Sequence, residues 1–184
     1  MKKVKGSLII TIVKSIKTSP KGWVEYDRIL SNQAKEFLKK RILTGSWYPL
    51  EDYRECFDSV CFVEARNNQK IILEWSIREA NRWLTTLYQA IVLKGDLEMA
   101  IEKYQRLHRR FFNFGEIITN FISDNKIELI YIDIPRDWEN WYQSAVGWAM
   151  AFIKLCIDKE IDYTFLNKSW VNGGWTTIKF SWSP

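Results

Sequence analysis

The hydrophobic residues of this chain change their spacing at Gly115, and this change restricts the folds that the sequence can adopt. Before Gly115 they recur every three or four residues, which is the period of an amphipathic helix. After it, residues 117–122 and 126–134 have the pattern of strands joined by a short turn. One more helical stretch and two more strand-like stretches follow. This order predicts an α+β fold in which several helices pack on a four-stranded antiparallel sheet made of two hairpins.

Six stretches have the apolar stripe of a helix. They cover residues 6–19, 23–42, a stretch from about 49 to 61, 75–94, 97–112 and 138–157. The first is ambiguous, because Leu8, Ile10 and Ile12 also alternate as in a strand, and we favour the helix. The last two strands cover 161–167 and 175–182, with a turn at 172–174 between them. Because no repeat, linker or low-complexity tract interrupts the pattern, we expect a single domain over residues 1–184.

Trp47 and Tyr48 directly precede a predicted helix that has Pro49 in its first turn. Proline suits that position because its missing N–H would have no partner there. It also excludes the helical conformation for the residue before it. We therefore expect both aromatic residues to be extended at a rigid corner, where they wedge against a neighbouring element.

The net charge of +5 is concentrated in the first 50 residues, which carry eleven lysines and arginines and three acidic residues. A basic segment of this kind can meet phosphates or anionic lipid. However, Lys39, Lys40 and Arg41 lie near the end of a predicted helix, where cations interact favourably with the helix dipole. No glycine-rich or aromatic-interleaved motif surrounds these residues. We therefore expect a solvated face and no nucleic-acid partner.

The three cysteines, Cys56, Cys61 and Cys156, are too few and odd in number for a disulfide framework. Free thiols are typical of a reducing compartment, so we expect a cytoplasmic protein. Lys14 and Lys17 interrupt the apolar stretch near the N-terminus, so it does not have the pattern of a signal peptide. No apolar run approaches the roughly 18 residues that span a membrane.

Five motifs carry a resemblance to a known superfamily. They are KGSLI, SWYPLEDY, RRFFNFGE, GWAMAFIKL and KFSW. With these motifs in this order, almost the whole chain resembles the small-molecule-binding superfamily that joins 4-vinyl-reductase domains, heme–nitric oxide/oxygen sensors and TRAPP transport subunits. Within it, the chain is most similar to an uncharacterised bacterial branch. The resemblance implies helices packed on a four-stranded antiparallel sheet, frequent dimerisation and an apolar cavity.

The resemblance also says where a heme would bind. In heme-binding relatives a histidine on the helix before the hairpins ligates iron, and His108 lies on such a helix. Those relatives grip the heme propionates with a Tyr-x-Ser-x-Arg signature. The nearest match keeps Tyr131 but has Asp133 and Pro135 in place of serine and arginine. An aspartate repels a propionate and a proline offers no donor, so we expect no bound heme.

No metal site and no reaction are predicted either. The metal-suited C-terminal cysteines of 4-vinyl-reductase relatives are missing from residues 165–180. With one histidine and no nucleophile elbow, phosphate loop or HExxH motif, the chain lacks the common catalytic templates. We therefore expect it to have no enzymatic activity and no cofactor.

Aromatic residues make up 15% of the chain, including ten tryptophans. Aromatic rings enrich ligand pockets, interfaces and cores alike. If the helices enclose a cavity, we expect its ligand-binding lining to be Trp47, Tyr48, Tyr88, His108, Arg109, Phe112 and Trp148. The arginine or histidine would then meet an acidic group of the ligand. The alternative is that the same rings fill the core at ordinary packing density.

Three functional hypotheses follow from these observations. The first is a non-enzymatic cytoplasmic sensor or adaptor domain that binds a small apolar or acidic ligand. The second is a structural module that docks a protein partner or forms a homodimer. The third is a heme-based gas sensor.

Overall fold

The computed structural model describes all residues, 1–184, and has an α+β fold with eight α-helices. The helices are α1 Gly6–Lys17, α2 Trp23–Asp27, α3 Asn32–Lys39, α4 Leu50–Ala65, α5 Gln69–Leu84, α6 Leu97–Phe111, α7 Glu139–Ile157 and α8 Ser169–Asn172. The strands are β1 Lys3–Lys5, β2 Trp47–Pro49, β3 Glu116–Ser123, β4 Lys126–Ile132, β5 Asp162–Asn167 and β6 Thr176–Ser181. The chain forms two compact units, the first from Met1–Gln69 with Arg110–Phe114, and the second from Lys70–Arg109 with Gly115–Pro184.

The first unit is built from helices and one small sheet. Strands β1 and β2 pair antiparallel, and α1 packs against α4. The stretch at 6–19 is a helix, as predicted, and it buries Ile9, Val13 and Ile16 at helical spacing. The predicted extended conformation at the corner is also confirmed, because Trp47 to Pro49 is the strand that pairs with β1. Helix α4 then begins at Leu50.

The sequence predicts one continuous helix over 23–42. This prediction is wrong, because the structure has two short helices, α2 and α3, in its place. Ser31 begins the second helix, since its Oγ accepts a hydrogen bond from the Ala34 N–H at 3.1 Å. Its own N–H and hydroxyl donate to the Glu55 carboxylate at 2.6 and 2.8 Å. The apolar stripe keeps its spacing across this break, except at Ile29, which is 40% exposed.

The predicted helix at 75–94 is displaced along the chain. Helix α5 begins at Gln69 and ends at Leu84, and only a short 3₁₀ turn follows at Gln89–Ile91. The hydroxyls of Thr85 and Thr86 donate to carbonyl oxygens one turn back, at 2.7 and 2.6 Å. Such local bonds compete with continuation of a helix. Leu87, placed inward by the sequence pattern, is 75% exposed.

The second unit contains the predicted four-stranded sheet. Its order is β3-β4-β6-β5 and every neighbouring pair is antiparallel, which confirms the predicted fold class. Its inner face buries Ile127, Leu129 and Tyr131 from β4, and α7 packs against β5 and β6. The predicted turn at 172–174 is longer than expected, because α8 lies between β5 and the turn glycines.

Helices α5 and α7 approach each other closely at Gly147. A Cβ at this position would lie 2.7 Å from Ser76 Cβ and 2.8 Å from the Leu73 carbonyl oxygen. Only glycine therefore permits this approach. The Ser76 hydroxyl also donates a hydrogen bond to that of Ser144, at 2.8 Å. None of the helices is long and apolar enough to cross a membrane.

Candidate ligand site around His108

His108, the only histidine of the chain, lies near the end of α6 and is 8% exposed. Its imidazole meets the ring of Trp141 edge to face, with the ring centroids 6.3 Å apart. Trp141 belongs to the first turn of α7, so the two helices bring these rings together. Burial at an aromatic surface strengthens the polar interactions of such a ring, because the local dielectric is low.

Gly115 sets the space beside the imidazole. Its φ of +75° is unfavourable for any residue with a side chain. A Cβ at Gly115 would lie 3.2 Å from His108 Nε2 and 2.2 Å from Ile134 Cδ1. The absence of a side chain here lets the chain turn from α6 into β3. Both His108 Nε2 and the Ile134 methyl group occupy the space next to this glycine.

Buried aromatic rings continue from Trp141 in two directions. Trp138 stacks on Trp141 with centroids 5.7 Å apart, and Tyr131 meets it edge to face at 5.8 Å. Tyr142 meets Tyr131 at 6.1 Å. We call these five residues, His108, Tyr131, Trp138, Trp141 and Tyr142, the His108 cluster. Each of them is less than 9% exposed.

The hydroxyl of Tyr131 is the unusual polar group of the cluster. Tyr131 is 1% exposed, and its hydroxyl makes no hydrogen bond. Burial raises the pKa of Tyr131 well above its ordinary value, and the nearby Tyr104 hydroxyl adds to the increase without meeting it in hydrogen-bonding geometry. An unpaired buried hydroxyl destabilises a fold by about 1–3 kcal/mol. A bound polar atom that reaches this hydroxyl would remove that penalty.

Two of the predicted ligand-binding residues lie in the first unit at β2. Trp47 is 38% exposed and lies under the Lys5 ammonium, which is 4.4 Å from its ring centroid. It is therefore not the buried wedge that the sequence predicts. Tyr48 is half-buried, accepts a hydrogen bond from the Leu43 N–H at 2.8 Å, and meets Phe37 edge to face. Of these two residues, only Tyr48 packs against a neighbouring element, as the sequence predicts for both.

The other five predicted residues fall into different surroundings. Phe112 packs in the first unit against Tyr53 and Phe114. In the second unit, Tyr88 stacks on Trp83 at 5.7 Å, and Trp148 meets the same ring edge to face at 6.0 Å. Arg109 is exposed, and His108 belongs to the cluster described above. The ligand-binding role of these residues stays a prediction.

Sequence reasoning missed Trp83 and most of the His108 cluster. Trp83 joins Tyr88 to Trp148, yet it had no distinguishing signal beyond its position on α5. The sequence indicates Tyr131 only as part of the heme signature, and Trp138 and Trp141 only as members of the predicted helix at 138–157. Their assembly depends on how α7 packs on the sheet, which the local pattern does not specify.

The second unit also has an open cleft of about 260 Å³ at its surface. Ile77, Met150 and Leu155 supply apolar contacts, and Lys94, Lys154 and Glu160 supply charge. Lys154 and Glu160 form an ion pair with each other. The cleft is smaller than the roughly 300–1,000 Å³ typical of ligand pockets, and it includes none of the predicted binding residues.

Burial holds the cysteines of the folded chain in the thiol form. All three are free and buried, and burial raises the pKa of Cys56 to about 12 and that of Cys156 to about 11. The thiol rather than the thiolate is therefore present at neutral pH. No group of three or more histidine, cysteine, aspartate or glutamate side chains is placed to hold a metal ion.

The segment that follows Tyr131 decides how well a heme would fit. Asp133 has a left-handed backbone, with φ of +55°, and is exposed, and Pro135 offers no donor. Arg136 is one residue past the position of the arginine in the expected signature, and its guanidinium lies 5.3 Å from the Trp175 ring centroid. His108 could offer a ring nitrogen to iron, but the groups that would hold the propionates are missing. The residues present therefore do not fit a heme held through its propionates.

Comparison with known proteins identifies the fold. The chain is similar to a point mutant of the H-NOX domain of T. Tengcongensis (TM-score 0.64, 12% identity, 98% of both chains covered). It is also similar to a Cs H-NOX variant with an unnatural cyano-phenylalanine (TM-score 0.68, 14% identity, 98% of this chain and 97% of that chain). A third is an oxygen-binding H-NOX domain related to soluble guanylate cyclases (TM-score 0.63, 12% identity, 98% and 95%).

These likenesses define the class of fold. The chain has the H-NOX-like fold over nearly its whole length, which confirms the part of the resemblance that concerned heme–nitric oxide/oxygen sensors. The relation to 4-vinyl-reductase domains and TRAPP subunits stays a prediction. No sequence family matches the chain, and no curated protein matches it.

Proposed function

We propose that the chain is a non-enzymatic sensor domain that binds a small ligand at the His108 cluster. The observation that carries this proposal is the Tyr131 hydroxyl, which is buried without a partner in the same cluster as the only histidine. Buried polar groups in native proteins are nearly always satisfied, and each exception needs an explanation. A ligand is one such explanation in a fold whose solved neighbours include an oxygen complex.

The residues of the His108 cluster indicate which kind of ligand would bind there. The rings of Trp138, Trp141 and Tyr142 make the surroundings of His108 and Tyr131 apolar. His108 and Tyr131 offer nitrogen and oxygen groups that can bond a carboxyl or other polar group. The ligand that suits this set is a small apolar molecule with one acidic or polar end.

A thermal-shift screen with aliphatic and aromatic carboxylic acids tests this proposal. We expect at least one compound to raise the melting temperature of the native chain, because ligands that bind only the folded state stabilise it. We expect the shift to be lost in His108→Ala and weakened in Tyr131→Phe. Tyr53→Phe is the matched control, since Tyr53 stacks on Phe57 in the first unit and is not among the predicted binding residues. An equal shift in all four proteins would contradict the proposed site.

Heme-based gas sensing is the second candidate function. It is favoured by the H-NOX-like fold together with the burial of His108 near the end of α6. Imidazole is a common axial ligand of heme iron. Reconstitution with hemin tests it, and a Soret band that disappears in His108→Ala would support it. Because Asp133 and Pro135 replace the propionate anchors, we expect no stable complex.

Docking of a partner is a third candidate, favoured by the exposed residues of β3. This edge strand exposes Ile118, Phe121 and Ile122 by 42–54%, and its only charged residue is Glu116. Unprotected edges of this kind pair with other chains. Light scattering after size exclusion would detect a dimer, and Phe121→Lys would return it to monomer. A wild-type monomer would count against this reading.

A further inference from the structure

A tryptophan and a valine project into solvent at the junction between α1 and α2. Trp23 is 47% exposed and Val24 is 60% exposed. Lys14, Lys17 and Lys21, all exposed, precede them within ten residues. We call these five residues the Trp23 patch. Adjacent apolar side chains that stay exposed and are bordered by like charges are candidates for an interaction surface.

The segment that carries the patch is fixed in place. Tyr26 is fully buried and its hydroxyl donates to Glu64 Oε1 at 2.8 Å. The Ser19 hydroxyl donates to the same carboxylate oxygen. The Lys21 and Gly22 N–H groups both bond to Ser19, at 3.1 Å. Trp23 and Val24 are therefore held outside the core by anchored neighbours on both sides, and their exposure does not come from a loose loop.

The charge of this region is not neutralised within the chain. The nearby acids are already paired, Glu25 with Arg28 at 3.3 Å and Asp27 with Lys35 at 2.9 Å. Lys14, Lys17 and Lys21 form no ion pair. Three exposed, unpaired positive charges therefore precede Trp23 and Val24 within ten residues of the chain. Part of the basic excess of the first 50 residues therefore lies in this short segment of the chain.

We infer that the Trp23 patch docks the chain on an anionic lipid surface. Lysines near a bilayer are attracted by acidic headgroups, and tryptophan partitions to the level of those headgroups. Val24 adds apolar area that a purely ionic partner such as nucleic acid would leave unused. The chain would lie on the surface of the bilayer, with the patch as its contact. This inference does not depend on the proposed function.

Co-sedimentation with lipid vesicles tests the inference. Vesicles of phosphatidylcholine and phosphatidylglycerol in equal parts should sediment the wild-type chain, and vesicles of phosphatidylcholine alone should not. The tryptophan emission of the wild-type chain should shift to the blue on binding, and that of Trp23→Ser should not. Added salt should release the chain, because screening weakens attraction between exposed charges. Sedimentation that is equal with both vesicles would overturn the inference.

Charge and apolar variants separate the contributions of the patch. We expect Lys17→Glu with Lys21→Glu to weaken binding at least about tenfold, since each lysine contributes and each glutamate repels. Trp23→Ser should also weaken it. Lys94→Glu with Lys126→Glu is the charge-matched control, and Trp175→Ser is the control for an exposed tryptophan, at 44%. Patch variants that bind as the controls do, or a chain that binds single-stranded DNA without sedimenting with vesicles, would overturn the inference.

Discussion

At the scale of single residues, similar side chains in this chain have different roles because their surroundings differ. Trp47 and Tyr48 are neighbours in β2, yet Trp47 lies at the surface under Lys5, whereas Tyr48 bonds Leu43 and packs on Phe37. The sequence predicts that this corner is extended, because Pro49 restricts the backbone. It does not indicate which ring is buried, since neighbouring strand residues point to opposite faces and the identity of the covered face depends on packing.

Substitutions at the corner test this difference. We expect Trp47→Ala to lower the free energy of unfolding by less than about 1 kcal/mol, as is usual for exposed positions. Tyr48→Phe should lower it by about 1 kcal/mol, because the Leu43 N–H loses its acceptor. Urea denaturation of both variants measures the two values. A loss of about 3 kcal/mol or more for Trp47→Ala would show that its ring is buried.

Two tyrosine hydroxyls make a second comparison. Removing the unpaired hydroxyl of Tyr131 with Tyr131→Phe should leave stability unchanged or raise it by up to about 1 kcal/mol. Tyr26→Phe should lower stability by about 1–2 kcal/mol, because Glu64 loses a donor. Thermal unfolding of the ligand-free variants measures both. Loss of stability in Tyr131→Phe would mean that its hydroxyl has a partner in the native protein.

The buried thiols make stability depend on alkaline pH. Burial raises the pKa of Cys156 from 9.0 to about 11. The folded state therefore retains the proton at a pH at which the unfolded state has lost it. This contribution is fully present below pH 9 and is lost as the pH rises to about 11. Urea denaturation across this range should show a decline that is smaller in Cys156→Ala, and an equal decline in both proteins would contradict it.

At the scale of helices and strands, most elements can be predicted because their hydrophobic period is strong. Helices α1, α6 and α7 and the strands of the four-stranded sheet lie close to their predicted positions. The errors occur where side-chain hydrogen bonds end a helix inside an uninterrupted apolar stripe. Ser31 divides one predicted helix, and Thr85 and Thr86 end another. The spacing of hydrophobic residues indicates which positions are buried, but it does not indicate these local side-chain hydrogen bonds.

Gly115 connects α6 to β3. Substituting it tests how much backbone strain and steric clash each cost in stability. Gly115→Ala introduces both a strained φ and a clash with Ile134 Cδ1. Gly95→Ala is the control, because its φ is +79° and nothing lies within 4 Å of the added Cβ. We expect a loss of about 1 kcal/mol for the control and clearly more for Gly115→Ala, in urea denaturation. Equal losses would show that Ile134 moves aside without cost.

At the scale of the whole molecule, the fold can be predicted but its ligand cannot. The order of helices and hairpins predicts the α+β class, and solved structures with only 12–14% identity have the same fold. His108 could be selected as a candidate because it is the only histidine and lies on an apolar stripe. Its neighbours Tyr131, Trp138 and Trp141 meet only in the folded second unit. A site made by distant segments leaves no local pattern in the sequence.

Because the chain has one histidine, the imidazole of His108 is a unique probe of the proposed site. The most direct measurement is a nuclear magnetic resonance titration that follows the nitrogen-labelled His108 ring while carboxylic acids from the thermal-shift screen are added. In the wild-type chain, a compound that raises the melting temperature should shift the His108 signal until the shift saturates. In the Tyr131→Phe variant, which binds more weakly, the same concentrations of the compound should not saturate the shift. A stabilising compound that leaves the His108 signal unchanged would place the ligand elsewhere and contradict the proposed sensor site.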